Sequence, residues 1–263
     1  MTTDGLKKEF DQKGYAIARG LLTTEETGLL SEIAKADHAL RKRAMLRDDG
    51  EGAEVELTVI NDLPEDSIYA AIVRSERLVR PMETLLGGEV YHYHHKMILK
   101  EPRVGGAWTW HQDYGYWYDN GCLLPLLASC MIAVDPCTRQ NGCLQVLDGS
   151  HEMGRIRHTT IGTQTGADPD RMTHVRERFE RTHLELEPGD GLFFHCNLLH
   201  RSDKNRSADP RWALICCYNA ARNNPVKRHH HPCYSPLEIW PDSRVAEVGA
   251  RQLRSSGRSV GPA

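Results

Sequence analysis

The chain has 263 residues, 40% of them apolar and 26% charged, with 33 Lys+Arg against 36 Asp+Glu and a net charge of -3. This is the balance of an ordinary globular protein long enough to bury a real core. The slight acidity, with no long basic block or basic amphipathic helix, argues against nucleic acid or anionic lipid as a partner. No run approaches the roughly 20 apolar residues of a membrane span, and the first twelve residues are too charged for a signal peptide. The expected compartment is therefore the cytoplasm, the expected partner a small molecule, and the expected state a monomer or homodimer. The eight cysteines, at positions 122, 130, 137, 143, 196, 216, 217 and 233, include no C-x-x-C pair. Reduced and mostly buried thiols are the expectation in that compartment.

The N-terminal part reads as helical with a short strand inserted at Tyr15 to Ala18. Thr23-Thr24-Glu25-Glu26 supplies a capping start for an amphipathic helix to about Leu40, and a polar loop follows at Asp48 to Ala53. A second helix starts after Asp66, carries Ile68, Ala71, Ile72, Val79 and Leu85, and ends at Gly87-Gly88. From there the apolar period changes to two. Strands are expected at Glu89 to Leu99, Leu126 to Val134, Cys143 to Leu147, His183 to Leu186, Gly191 to His195 and Arg211 to Tyr218, separated by Gly, Pro and Asn turns. That pattern points to a β-rich (α+β) sandwich, barrel or jelly roll rather than a βαβ sheet. Arg155 to Glu180 is polar and poor in periodicity, so it reads as a loop or irregular lid. The tail beyond Arg251 reads as frayed, and the whole chain as one domain, with a core at about 8–220 and an extension at 221–263.

Chemistry concentrates in two stretches. Trp110-His111-Gln112-Asp113-Tyr114 places an imidazole and a carboxylate two residues apart, which on an extended strand sends both to one face. A third ligand is available from Gly189 to His200, which carries His195 and His200. Two neutral imidazoles and one carboxylate on one side of a metal leave adjacent positions open, as suits non-haem Fe(II) with O₂ and a bidentate 2-oxo acid. An H-x-D pair alone is a weak signal. Arg211 strengthens it: a guanidinium opening the apolar strand Trp212 to Tyr218 incurs a large desolvation cost unless it meets an anion, and its planar fork matches a carboxylate. Without the rest of the pattern, a salt bridge to an internal acid explains Arg211 equally well.

His111-x-Asp113, the turn from Asn141 to His151, Gly189-Asp190, and His200-x-Ser202-x-x-Asn205-x-Ser207-x-x-x-Arg211 together resemble the phytanoyl-CoA dioxygenase family, in order and spacing over roughly residues 8–220. The resemblance implies a double-stranded β-helix (jelly-roll, cupin-like) core with flanking N-terminal helices, Fe(II), and 2-oxoglutarate and O₂ as co-substrates. Carried over by position, His111, Asp113 and His200 resemble the metal ligands and Arg211 the partner of the distal carboxylate of 2-oxoglutarate. Ser202, Gln112 and Lys96 match positions near the co-substrate. The spacing favours His200 over His195 as distal ligand, and the presence of Asp113 favours hydroxylation over halogenation.

The reaction so implied is hydroxylation of an unactivated C–H bond of a small metabolite, with release of succinate and CO₂. Trp108, Trp110, Tyr114, Tyr116, Trp117 and Tyr118 crowd the proximal motif, and Trp117, Tyr114, Arg157 and Asn219 are taken as candidate substrate residues, with core packing or solvation as the simpler alternative for several. His229-His230-His231 reads as a solvated loop. A non-catalytic metal- or ligand-binding jelly roll is the main rival reading and a zinc hydrolase the lesser one, since zinc uses the same donor types.

Overall fold

The structure is a computed structural model and describes residues 2–50 and 52–255. In chain order it comprises α1 (Thr3–Lys13), β1 (Tyr15–Ala18), α2 (Thr24–Ala36), α3 (His38–Lys42), β2 (Met45–Asp48), β3 (Glu54–Ile60), α4 (Ile68–Arg74), α5 (Glu76–Leu86) and β4 (Val90–Lys100). There follow β5 (Trp108–His111), the turn α6 (Tyr114–Trp117), β6 (Leu127–Ala133), β7 (Leu144–Leu147), β8 (His158–Ile161), β9 (Gln164–Ala167), α7 (Pro169–Arg178) and β10 (Arg181–Leu184). β11 (Gly191–His195), β12 (His200–Ser202), β13 (Arg211–Ala220) and α8 (Arg244–Ser255) complete the order.

The strands form a seven-stranded sheet, β1-β11-β6-β13-β4-β3-β2, a four-stranded sheet, β10-β7-β12-β5, and the small hairpin β8-β9. Alternation along β13 shows how the layers are held. Trp212, Leu214, Cys216 and Tyr218 join the helices in one core cluster, while Ala213, Ile215 and Cys217 face the other way into a second cluster with Leu144, Val146 and Leu184 of the four-stranded sheet. A strand buried on both faces reads as a continuous apolar run, which is why this one was visible in the sequence. By the same parity Arg211 belongs to the face between the two sheets. The fold is the cupin-like jelly roll with flanking helices that the resemblance implied.

The expected helix after Thr23 begins with a full capping box, Thr23 and Glu26 each bonding the other's backbone N–H. It stops at Ala36 rather than Leu40, because Asp37 turns extended and caps a new short helix through Leu40 N. The second helix starts one residue later than expected, after Ser67, and is split at Ser75, whose hydroxyl donates to the Ile72 carbonyl. Gly87 closes it in the left-handed conformation at φ 69°. Asp48, the first residue of the expected polar loop, closes β2, which pairs antiparallel with β3 as a hairpin that periodicity did not reveal.

The segment 155–180 is not an irregular lid. It forms the β8-β9 hairpin and α7, whose N-terminus is capped by Asp168 with Pro169 in the first turn. Ile156, Ala167, Met172 and Val175 pack on Trp110, Leu147 and Leu199 in a third apolar cluster, too sparse along the chain to show as a periodic stripe. The C-terminal helix likewise runs past Arg251 to Ser255, with Val245, Val248 and Leu253 buried; residues beyond 255 lie outside those described. All eight cysteines are unpaired, seven buried and Cys233 exposed.

Asp190 joins β1 to the turn before β11. Its carboxylate accepts from the Gly20 and Glu187 N–H groups at 2.8 and 2.9 Å and from Arg19 at 2.6 Å. Burial alone would push its pKa up, but these donors outweigh burial and hold it below the ordinary carboxylate range. A depressed folded-state pKa means that the contribution is complete above the unfolded pKa and is lost as pH falls through the folded one. Asp190→Asn should lower unfolding free energy in urea by about 2 kcal/mol at neutral pH, and the gap to the native chain should close in acid.

Candidate metal centre and co-substrate cavity

β5 and β12 are antiparallel neighbours with His111 directly opposite His200, and the two rings lie 4.1 Å apart between centroids. Each imidazole uses Nδ1 on a carbonyl two residues back in its own chain, His111 on Thr109 at 2.8 Å and His200 on Leu198 at 2.9 Å. A carbonyl only accepts, so Nδ1 carries the proton and the Nε2 lone pair of each ring is left for a cation. Burial lowers the proton affinity of both rings, which keeps them neutral as ligands require.

Asp113 joins them by a different route from the one expected. The strand ends at His111, and Asp113 has helical dihedrals (φ -56°, ψ -37°) at the start of α6. The turn, not strand alternation, brings its Oδ1 to 3.9 Å from His111 Nε2. Tyr116 donates to the same oxygen at 3.1 Å, and Lys96 stands 3.8 Å away. The other carboxylate oxygen is fully buried and has no hydrogen-bond partner. One ligand atom from each of His111, Asp113 and His200 falls within 4.8 Å of the others. An orphaned carboxylate oxygen and two free Nε2 lone pairs fit a bound divalent cation, which would supply the missing partner. His195 lies elsewhere: it packs on Phe10 and His151 and its Nδ1 accepts from Asn197 N.

The two histidines share a small cleft, of about 50 Å³, with Lys96, Ser202 and Arg211, between apolar walls that include Met131, Leu144 and Ile215. Arg211 is buried, and one guanidinium N–H donates to the Gly142 carbonyl at 2.9 Å while Nε has no partner. No acid pairs with it, so the internal salt bridge that would have explained it structurally is absent among the described residues. Directly across the β13-β4 ladder from Arg211 stands Lys100, fully buried, whose ammonium donates to the Asp203 carbonyl. Burial, and then the neighbouring Arg211, push the Lys100 pKa well down. Two like charges facing each other in a dry interior are unfavourable without an anion between or beside them. Lys100 was missed in the sequence because only the strand register brings it to Arg211.

The profile of the phytanoyl-CoA dioxygenase (PhyH) family matches residues 10–213. The chain belongs to the phytanoyl-CoA dioxygenase family. The L-proline trans-4-hydroxylase of Streptomyces griseoviridis is 32% identical over 205 residues, covering 72% of this chain and 75% of that protein. The ectoine dioxygenase of Halomonas elongata is 27% identical, covering 89% and 77%. In fold, the chain is similar to the crystal structure of EctD from S. alaskensis with 2-oxoglutarate and 5-hydroxyectoine, with a TM-score of 0.76 at 22% identity over 92% of this chain and 88% of that one. The protein is accordingly an iron- and 2-oxoglutarate-dependent dioxygenase, a hydroxylase acting on a small molecule. This sets aside the non-catalytic and hydrolase alternatives. No helix among the described residues is long and apolar enough to cross a membrane.

Several residues that the family resemblance or the sequence pattern brings forward are not among those lining the cleft of this dioxygenase. Gln112 spends its amide on Gly154, Ile156 and Asn197, so it is not free to face the cleft. Tyr114 donates to the Leu123 carbonyl, and Trp117 is core, edge-on to Tyr93 and His94. Arg157 is exposed. Asn219 is locked into a buried network with Tyr91, Cys122 and Asn223. The loop at 229–231 is solvated at His229 and His230, but His231 is half-buried and stacks on His94 at 4.3 Å. Ser202 and Lys96 do line the cavity, and Tyr116, in the aromatic crowd but not singled out, touches Asp113.

Gly142, whose carbonyl receives Arg211, sits at φ +79°, and a Cβ there would lie 2.2 Å from the Asp203 carbonyl oxygen. Gly142→Ala should therefore destabilise the fold by about 2 kcal/mol or more and, by shifting the carbonyl that holds Arg211, raise the KM for 2-oxoglutarate. Urea unfolding and co-substrate titration of the variant check both parts.

Proposed function

We propose that His111, Asp113 and His200 hold the iron, that Arg211 with Lys100 and Ser202 receives the distal carboxylate of 2-oxoglutarate, and that the substrate is a small cyclic amino acid. The observation that carries this reading is the convergence of the three ligand atoms within 4.8 Å, with both histidines lining a cleft that also contains a buried arginine without an acidic partner among the described residues. Iron with 2-oxoglutarate and O₂ supplies the oxidising chemistry, with succinate and CO₂ as by-products.

The chain's own part is placement. The two Nδ1–H bonds to strand carbonyls fix the ring planes of His111 and His200, and the Tyr116 hydroxyl fixes one oxygen of Asp113. Arg211 and Lys100 anchor the co-substrate's far end, so its reacting end is held at the metal rather than found by diffusion. The apolar walls keep water from the cleft, which strengthens every charge interaction inside it. Lys96 adds positive charge at the metal end.

The substrate class is supported by the 32% identical relative, whose name specifies L-proline, and by the ectoine dioxygenases among the other relatives. We treat the chain as one catalytic domain, core 8–220 with the extension 221–263, since α8 of the extension packs Val245, Val248 and Leu253 into the same cluster as the α2 residues Leu29 and Leu30.

His200→Ala should abolish stoichiometric Fe(II) or Co(II) binding while His195→Ala keeps it; the reverse result would transfer the ligand role to His195. Arg211→Met should raise the KM for 2-oxoglutarate by about 100-fold, the effect of losing a charge-assisted bidentate contact, with metal affinity unchanged. For the substrate, succinate release is measured with a panel of cyclic amino acids, including L-proline, beside acyclic amino acids. Stimulation by ring-containing members alone is expected, and stimulation confined to the acyclic ones overturns the substrate class without touching the iron assignment.

A further inference from the structure

The hairpin that replaces the expected lid grips the strand carrying His111 at both ends. At its start, Gln164 accepts from Thr109 N at 2.9 Å and donates to the Ala107 carbonyl at 2.8 Å. Beyond its end, the backbone N–H of Gln112, the residue between His111 and Asp113, donates to His158 Nε2 at 2.9 Å. The His158 ring is itself oriented, because Nδ1 bonds the Ile156 carbonyl at 2.8 Å and so carries the proton, leaving Nε2 as an acceptor. Gln112 fastens the same segment in the opposite sense through Ile156 N at 2.8 Å.

The neighbours are shaped around this ring. A Cβ on Gly115 would lie 2.2 Å from His158 Cε1, so the imidazole occupies the space that any side chain there would fill. Tyr116, whose hydroxyl donates to Asp113 Oδ1, meets the His158 ring edge-on at 6.2 Å. The turn that swings Asp113 out of the strand line and toward His111 and His200 is thus held from one side by a single imidazole, which itself is outside the converging ligand set.

We propose that His158 is a positioning residue for the iron site, fixing the His111-to-Asp113 turn through the Gln112 N–H and the space left by Gly115. The inference rests on His111, Asp113 and His200 being the ligands. Without the ring, the Gln112 N–H loses its acceptor inside the protein, and the His111-to-Asp113 turn keeps only its remaining ties, through the Gln112 side chain, Tyr114 N and Tyr116. Partners that hydrogen-bond the ligands themselves change metal affinity by about 10–100-fold, and His158 acts one step further out, on the backbone that joins two of them.

The test is equilibrium binding of Co(II) to the full chain, read by affinity and by the intensity of the cobalt d–d absorption, which reports coordination geometry. His158→Leu, which removes the acceptor, should weaken Co(II) binding about 10–100-fold and alter the d–d band. His158→Gln, which keeps an oxygen near the Nε2 position, should recover most of the affinity. Gly115→Ala, which displaces the ring but leaves the histidine, should behave like His158→Leu. Circular dichroism and thermal midpoints separate loss of geometry from loss of fold. Native affinity and an unchanged band in a folded His158→Leu protein overturn the proposal, as does equal weakening in all three variants in step with their folded fraction. If the native chain itself binds no Co(II), the ligand assignment fails instead.

Discussion

Desolvation of charge is the constraint around which the centre of this molecule is arranged. The face between the two sheets carries a large apolar cluster, yet it also buries Arg211, Lys100, His111, His200 and Asp113. A buried ion that lacks a partner is strongly destabilising, whereas well-packed hydrophobic residues in its place are often no worse than a paired one. A sequence selected for stability alone would have filled this space with leucine and valine. The polar groups persist there with pieces missing: an oxygen on Asp113, a nitrogen on Arg211, and two Nε2 lone pairs. Each gap has the chemical sign of what the family binds, a cation at one end and a dicarboxylate at the other.

The same constraint explains why the scaffold around the site is rigid. Charges in a dry cleft act strongly only if their geometry does not relax when the ligand arrives. The jelly roll supplies this by setting His111 and His200 opposite each other in a ladder, and Arg211 opposite Lys100 in another. Asp113 is the exception, since it stands beyond the end of its strand. Its position is restored by hydrogen bonds from outside the main sheets, through Tyr116, the Gln112 backbone and the segment at 154–158. The least regular of the three proposed ligands is therefore the one with the most dedicated support.

What was legible in the sequence follows from how local each signal is. The Thr23 capping box, the Gly87 stop, the β1 strand and the doubly buried β13 are written within a few residues of one another, and the structure repeats them. Spacing and the family resemblance bring His111, Asp113, His200 and Arg211 forward, and the structure gathers the first three within 4.8 Å of one another, with Asp113 arriving by a helical turn instead of a shared strand face. Lys100 carried no signal, because its meaning depends on which residue it faces across a ladder. The segment 155–180 was misread for a related reason: its few apolar residues meet Trp110 and Leu147 from other strands, so its own periodicity is faint. Asp168-Pro169 was a local helix start that went unused.

The aromatic run after the metal motif shows why substrate residues are harder to read than ligands. On a strand, alternate members of Tyr114-Gly115-Tyr116-Trp117-Tyr118 would share one face. In the helical turn that forms instead, successive side chains rotate by roughly 100°, and each serves a different neighbour. Tyr114 reaches the Leu123 carbonyl, Tyr116 reaches Asp113, Trp117 enters the core beside Tyr93, and Tyr118 lies under the Arg155 guanidinium at 4.3 Å. Only one of the four touches the proposed iron site. The identity of such residues depends on where a strand ends, and that boundary is among the least determined features of a sequence. Of the residues proposed for iron and co-substrate, His111, His200 and Arg211 sit on regular ladders and only Asp113 on a turn, whereas contacts that distinguish one substrate from another generally fall to turns and connections of this kind.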